Sequence, residues 1–383
     1  MRALFEGMVP GALSSSGAVP PAKLAGVALA CARARKRYAS KTDKERRSAW
    51  QLFQQYLQSH PAAQGVTPLS AAPEDVVSFM ELAYVPHHGR TQMTSGEVVP
   101  SFSSVKNILG GLRKSFDFLG RSGPWTERTR EGNPCQSLLV EDWRKGYHSE
   151  LLDDGVEPVA ATPMRAEEVH QLLEGLDGEL AGLTETGLPS CPFLRMEAYL
   201  LGRDALYFSY LWMSSQRGLE AGRLKIADIR EEGGRISVRA RRTKSRRLEP
   251  PSLVPLEPLP PDQNRFCFLA RLPRFLQLCR DLGSPVEGFL FRTLGSDRKT
   301  VGSLPLTSSA GLGRLKSALG RMGMEPSLTL HSTRRGRMLY DQEQGENPEV
   351  TMSRALIKTT AVFRGYLDQT RPDRKRMKTG RDS

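Results

Sequence analysis

The sequence predicts a mainly α protein with a small antiparallel β-sheet, divided into a helical domain and an α+β domain. Three observations predict it. A chain of 383 residues exceeds the usual size of a single hydrophobic core, so two domains are expected. Long stretches of the first 152 residues repeat apolar side chains every three to four positions, which is the helical period. Later in the chain, short β-like runs are separated by "EEGG" and "RRTKS", the pattern of antiparallel strands joined by turns.

In chain order, residues 1–41 are rich in small side chains with Glu6 as the single acid, and are expected to form a weakly basic flexible leader, with organelle targeting as the alternative. Residues 42–152 are expected to form a compact all-helical domain. Its first helix, "KERRSAWQLFQQYLQSH", places Trp50, Phe53, Tyr56 and Leu57 on one face. The stretches "PEDVVSFMELAY", "SFSSVKNILGGLRKSFDFLG" and "NPCQSLLVEDWRKGYHSELL" follow, with Pro73, Ser101 and Pro134 as start signals. "DDGVEPVAATP", residues 153–163, combines acids, Gly and Pro with few large side chains and reads as a linker.

Residues 164–370 are expected to form the second domain. "MRAEEVHQLLEGL" restarts a helix, and Leu194, Ala198, Leu201, Ala205, Phe208, Leu211 and Trp212 mark one face of a long buried one. "LKIADI", "RISVRA" and "RRLEPPSLVPL" are the expected strands. Helices return after Asp262 in "DQNRFCFLARLPRFLQLCRDL", "SAGLGRLKSALGRMG", "LTLHSTRRGRMLY" and "TTAVFRGYLDQ". The basic end, residues 371–383, reads either as a nuclear-import or DNA-contacting tail or as a solvated terminus.

Composition narrows the partner. The chain is 39% hydrophobic, without an apolar run long enough for a membrane helix, so no membrane partner is expected. Lys and Arg number 55 against 42 Asp and Glu, a net charge of +13 that favours a polyanion, nucleic acid first. Five scattered cysteines without C-x-x-C spacing point to a reducing compartment and away from structural zinc. No cofactor and no metal are expected.

Binding a phosphodiester in a cleft needs fixed cations, preferably arginines, whose planar fork donates two hydrogen bonds to phosphate oxygens. Arg217 stands where the long helix breaks into "QRGLEAG", with Glu220 three positions on and able to orient it; the bland alternative is a surface ion pair. "RISVRARRTKSRR" holds seven Lys or Arg and no acid, so Arg239, Arg241, Arg242, Arg246 and Arg247 are candidate DNA-backbone contacts. Lys244, in the expected turn, has the reach to protonate a leaving oxygen, although nothing physical selects it over its neighbours. His331, Arg334 and Arg335 share a helical face, which leaves two arginine candidates. Tyr340 falls on the opposite side and is expected in the core, whereas Tyr366 sits on a short terminal helix that could carry a nucleophile.

The ordered set "QRGLE", "RRTKS", "LHSTRR" and "FRGYL" resembles the tyrosine recombinase, or phage-integrase-like, family across most of residues 163–370. Each motif alone is weak, and the order and spacing carry the specificity. Arg217 precedes Lys244 by 27 residues and His331 by 114, and Tyr366 follows Arg334 by 32. The resemblance implies a helical core-binding domain followed by a catalytic domain. It implies that Arg217 and Arg334 hold the scissile phosphate, Lys244 protonates the departing 5′ oxygen, His331 assists proton transfer, and Tyr366 forms a 3′-phosphotyrosyl bond. It also selects Arg334 over Arg335, leaving Arg335 as a DNA-backbone contact or a structural neighbour. One position departs from the pattern: nine residues before Tyr366, where the family has His or Trp as a phosphate donor, stands Ile357, without the glycine common beside it.

The expected function is DNA strand cleavage and rejoining, in recombination or integration, by a multimer on double-stranded DNA. The "H-S-x-R-R-G" form is similar to that of recombinases of eukaryotic mobile elements of the crypton and DIRS-like groups, which with the basic tail gives a nuclear expectation. Two other readings compete: a decayed enzyme acting as a noncatalytic DNA-binding protein, and a type IB topoisomerase-like enzyme.

Overall fold

The computed structural model describes residues 40–156, 161–185, 187–232, 235–240, 252–256 and 266–368. It divides into two compact units, Met1–Glu157 and Pro158–Ser383. The architecture is mainly α with small antiparallel sheets.

Unit 1 contains α1 (Ser40–Ser59), α2 (Pro73–Phe79), α3 (Phe102–Phe118) and α4 (Leu138–Asp153). Trp50, Phe53, Tyr56 and Leu57 of α1 are buried as their spacing requires, and the Phe53 ring meets Phe79 edge-on at 5.3 Å. α2 runs into a single π-helical turn, Met80–Tyr84, closed by the Val85 N–H donating to Met80 O. Ser101 caps α3 by accepting from the Ser104 N–H at 3.3 Å. Two features depart from the all-helical expectation. Pro134 opens only a 3₁₀ turn, because Asn133 and Ser137 cap separately and Ser137 accepts from the Val140 N–H at 3.1 Å to start α4. A two-residue hairpin, β1 (Thr91–Gln92) with β2 (Val98–Val99), turns at Gly96, whose φ of +87° suits glycine.

Unit 2 is built around α6 (Pro192–Ser214), which follows α5 (Ala166–Thr184). From Leu201 to Ser214 every residue is buried, so α6 is a central helix, not a one-faced one, and Leu194 near its start is exposed. Tyr207, Phe208, Tyr210 and Trp212 pack against Phe266, Phe268 and Phe291. The short α7 (Gly218–Ala221) follows, then a three-stranded antiparallel sheet of β3 (Ile229–Glu232), β4 (Arg235–Ala240) and β5 (Ser252–Leu256) in that order. Val238 at the centre pairs with Ile229 on one side and Val254 on the other. "LKIADI" is not a strand: Ile226–Asp228 forms a 3₁₀ turn, with the buried Asp228 carboxylate accepting from the Lys225 N–H at 3.4 Å.

After α8 (Phe268–Asp281), a second hairpin, β6 (Arg292–Leu294) with β7 (Val301–Pro305), interrupts the expected run of helices. α9 (Ser308–Arg321), α10 (Leu330–Glu343), α11 (Pro348–Arg354) and α12 (Thr360–Leu367) complete the unit. Among the described residues no helix is long and apolar enough to cross a membrane, and no three His, Cys, Asp or Glu side chains cluster with metal-site geometry.

Candidate active site

The break after α6 sets the first cation. Ser215 takes a left-handed φ of +51°, turning the chain so that Arg217 becomes the N-cap of α7. Two glycines follow from close approach: a Cβ on Gly218 would lie 2.6 Å from Leu330 Cδ1, and one on Gly222 would lie 2.1 Å from the Leu306 carbonyl oxygen. The buried Tyr207 hydroxyl donates to Gly218 O at 3.0 Å and fixes the turn. Glu220 accepts from the Arg217 N–H at 3.3 Å and from Arg217 Nη1 at 3.2 Å. The Glu220 side chain is 8% exposed and that of Arg217 26%, so this pair orients the guanidinium and is more than a solvated surface contact.

α10 carries the second group, and its start is written into "TLHS". Thr329 is the N-cap: its hydroxyl accepts from the His331 N–H at 3.2 Å, while Ser332 Oγ accepts from the Thr329 N–H at 2.9 Å. The Met164 N–H donates to Ser332 O at 2.9 Å, drawing the chain before α5 against α10. That contact explains Gly336, where a Cβ would sit 1.7 Å from Met164 O. His331 is exposed on the first turn of α10.

Arg334 and Arg335 share that helix but reach different environments. Arg334 is fully buried, and its Nη1 donates to Ser215 O at the break beyond α6. Its Nε and Nη2 make no hydrogen bond among the described residues. Burial holds the Arg334 pKa below the ordinary guanidinium range, and the positive charge of Arg217 acts in the same direction against partial compensation from Tyr366 and Glu220. Arg335, expected as a DNA-backbone contact or a structural neighbour, has its donors on backbone carbonyls of this chain. It is 4% exposed, and its Nε, Nη1 and Nη2 donate to the carbonyl oxygens of Tyr366, Ala161 and Asp368 at 3.1, 2.8 and 2.6 Å.

Tyr366 lies on α12, capped by Thr359 Oγ1, which accepts from the Val362 N–H at 3.4 Å. Its half-buried ring is 5.0 Å from the Arg334 guanidinium carbon and 5.4 Å from the His331 ring. Arg217, Glu220, His331, Arg334 and Tyr366, drawn from α7, α10 and α12, thus converge. Tyr340 packs on Trp212 at 5.8 Å, partly buried against the core.

Ile357 is 6% exposed in an apolar cluster with Met338, Ala355 and Phe363, against which Tyr366 and Leu367 pack. Leu356 before it has a φ of +54°, the conformation glycine favours. The Ile357 N–H donates to Met352 O at 2.8 Å and the Leu356 N–H to Ser353 O at 3.1 Å, a left-handed helix stop with leucine in the usual glycine position. Leu356 is buried against Ala240, the last residue of β4, and Val254 in the middle of β5. Ile357 thus follows the turn and packs in the apolar cluster against which Tyr366 lies. Arg239 is half-buried on β4; Lys244, Arg241, Arg242, Arg246 and Arg247 lie outside the described residues. Ser215, Ser332, Gly336 and Leu356 were not singled out from sequence, although the T-x-x-S spacing of a helix cap is legible in "TLHS".

No family model and no curated protein matches the sequence. Solved structures do match. The XerH site-specific recombinase bound to palindromic difH substrate, post-cleavage, aligns with a TM-score of 0.51 at 15% identity over 86% of this chain and 76% of that one. Its pre-cleavage difH complex gives 0.50 at 13% over 82% and 74%. The Tn1549 transposon integrase with transposon right end DNA gives 0.51 at 14% over 91% and 95%. This chain has the fold of the tyrosine recombinases.

Proposed function

We propose that this protein cleaves and rejoins DNA strands through a 3′-phosphotyrosyl intermediate, in site-specific recombination or integration. The observation that carries this reading is Arg334. A fully buried guanidinium with Nε and Nη2 unpaired among the described residues, beside a tyrosine ring at 5.0 Å, is a costly arrangement that a phosphodiester would satisfy. The similar XerH and Tn1549 structures hold DNA, which supports DNA as the partner here.

In the proposed step the Tyr366 oxygen attacks phosphorus and the bond to the 5′ oxygen breaks. The phenolic proton passes to His331, Lys244 supplies a proton to the departing 5′ oxygen, and Arg217 and Arg334 neutralise charge developing on the phosphoryl oxygens. The tyrosyl ester keeps the energy of the broken bond, so attack by a 5′ hydroxyl reverses the step or joins a new strand. Exchange between two duplexes requires several copies on DNA, and the arginines around Lys244 are the proposed backbone contacts.

Ile357 favours one competing reading, a noncatalytic DNA-binding protein, because isoleucine supplies no donor where the family has one. Incubation with a randomised-sequence duplex library carrying a nick separates the two. Catalysis predicts an SDS-resistant protein–DNA adduct that Tyr366→Phe abolishes; salt-sensitive binding with no adduct supports the alternative.

A further inference from the structure

Tyr366 sits on a short helix held on one side by the apolar cluster around Ile357 and Phe363. α12 is eight residues long, too short to be stable alone, and Phe363 is its buried residue. Its last carbonyls have no partner within the helix and carry the negative end of its dipole. Arg335 meets them: Nε donates to Tyr366 O at 3.1 Å and Nη2 to Asp368 O at 2.6 Å. The third nitrogen, Nη1, donates to Ala161 O at 2.8 Å, on the segment that leads into α5. All three bonds are charge-assisted and the residue is 4% exposed.

We propose that Arg335 is a positioning residue for Tyr366: it fixes the end of the tyrosine helix to α10 of the same chain, so that each copy presents its own tyrosine to its own Arg334. Arg334 and Arg335 are neighbours on one rigid helix, about 100° apart around its axis. One guanidinium is left open toward the tyrosine ring while the next holds that tyrosine's backbone, so the distance between phosphate clamp and nucleophile is set by a single turn of α10. A lysine cannot replace it, since one ammonium on a flexible stem lacks the planar fork that reaches three carbonyls. Arg335 acts through the backbone that carries Tyr366, and its role rests on the proposed role of Tyr366.

The test uses the full chain with Arg335→Gln, and Arg335→Lys should the first not fold. Hydrogen–deuterium exchange of the amides of residues 363–368 is expected to accelerate at least about tenfold, local opening being cheaper without the staple, while residues 330–343 remain protected. With the nicked randomised duplex as probe, the rate of adduct formation is expected to fall about tenfold to a hundredfold with the half-saturating DNA concentration unchanged, as misplacement without lost binding requires. Unchanged exchange over 363–368 overturns the proposal, as does DNA affinity falling in step with the rate, which would make Arg335 a DNA contact. If the wild-type protein forms no adduct while the exchange effect is present, the staple stands and the catalytic reading falls; an adduct in wild type without the exchange effect sinks the staple alone.

Discussion

Replacing Arg334 with methionine should leave the free protein as stable as before or more so, and abolish the proposed strand cleavage. Arg334 is fully exposed to the penalties of burial: its Nε and Nη2 find no partner among the described residues, and each unpaired buried donor costs about 1–3 kcal/mol. Against this stand the charge-assisted bond from Nη1 to Ser215 O, worth about 1.5–3 kcal/mol, and the contact with the Tyr366 ring, worth about 0.5–2 kcal/mol. The opposing sums nearly cancel, and methionine restores apolar packing of similar length, so the expected change is between about 0 and 2 kcal/mol in favour of the variant. For a unit of this size that is a rise in Tm of about 0–8 °C. Thermal unfolding in anion-poor buffer, followed by circular dichroism, measures it. Removing one member of a satisfied buried pair instead costs about 3–5 kcal/mol. A fall in Tm of 6 °C or more, about 2 kcal/mol, would therefore show that Arg334 is fully partnered in the free protein and is not a site held open for phosphate.

Two further outcomes test the scaffold around the site. Gly336→Ala normally gains about 1 kcal/mol in a helix; here the new Cβ meets backbone at Met164 O, 1.7 Å away, so the variant should lose at least about 2 kcal/mol in chemical denaturation, and a gain would refute the close approach. At Leu356 the order of substitutions should invert the helical one. Both Leu356→Gly and Leu356→Ala lose the packing on Ala240 and Val254, but only glycine relieves the φ of +54°, so the glycine variant should be about 1 kcal/mol more stable than the alanine variant; equal or reversed stability contradicts the assigned turn.

The legible parts of the fold were those with period and caps. α1 and α3 announce themselves through apolar spacing, and α3 also through Ser101. The hairpins β1–β2 and β6–β7 do not, because strands of two to five residues are too short to display alternation. "LKIADI" alternates like a strand, yet the Asp228 carboxylate captures a local N–H and wins the backbone for a 3₁₀ turn. In the site, spacing brought His331, Arg334 and Arg335 to one helix and left the two arginines equivalent. Their difference is tertiary: Ser215 turns left-handed to offer its carbonyl to Arg334, and the end of α12 offers two to Arg335. Ile357 reads in sequence as a missing donor, and only packing reveals that it belongs to the apolar cluster against which Tyr366 lies.

The central claim is that the Tyr366 oxygen takes the scissile phosphate. After incubation with the nicked duplex library, nuclease digestion and tandem mass spectrometry of tryptic peptides locate any nucleotide left on the protein. The account predicts a nucleotide joined through its 3′ phosphate to Tyr366. A nucleotide on any other residue, or salt-sensitive DNA binding that leaves Tyr366 unmodified, would contradict it.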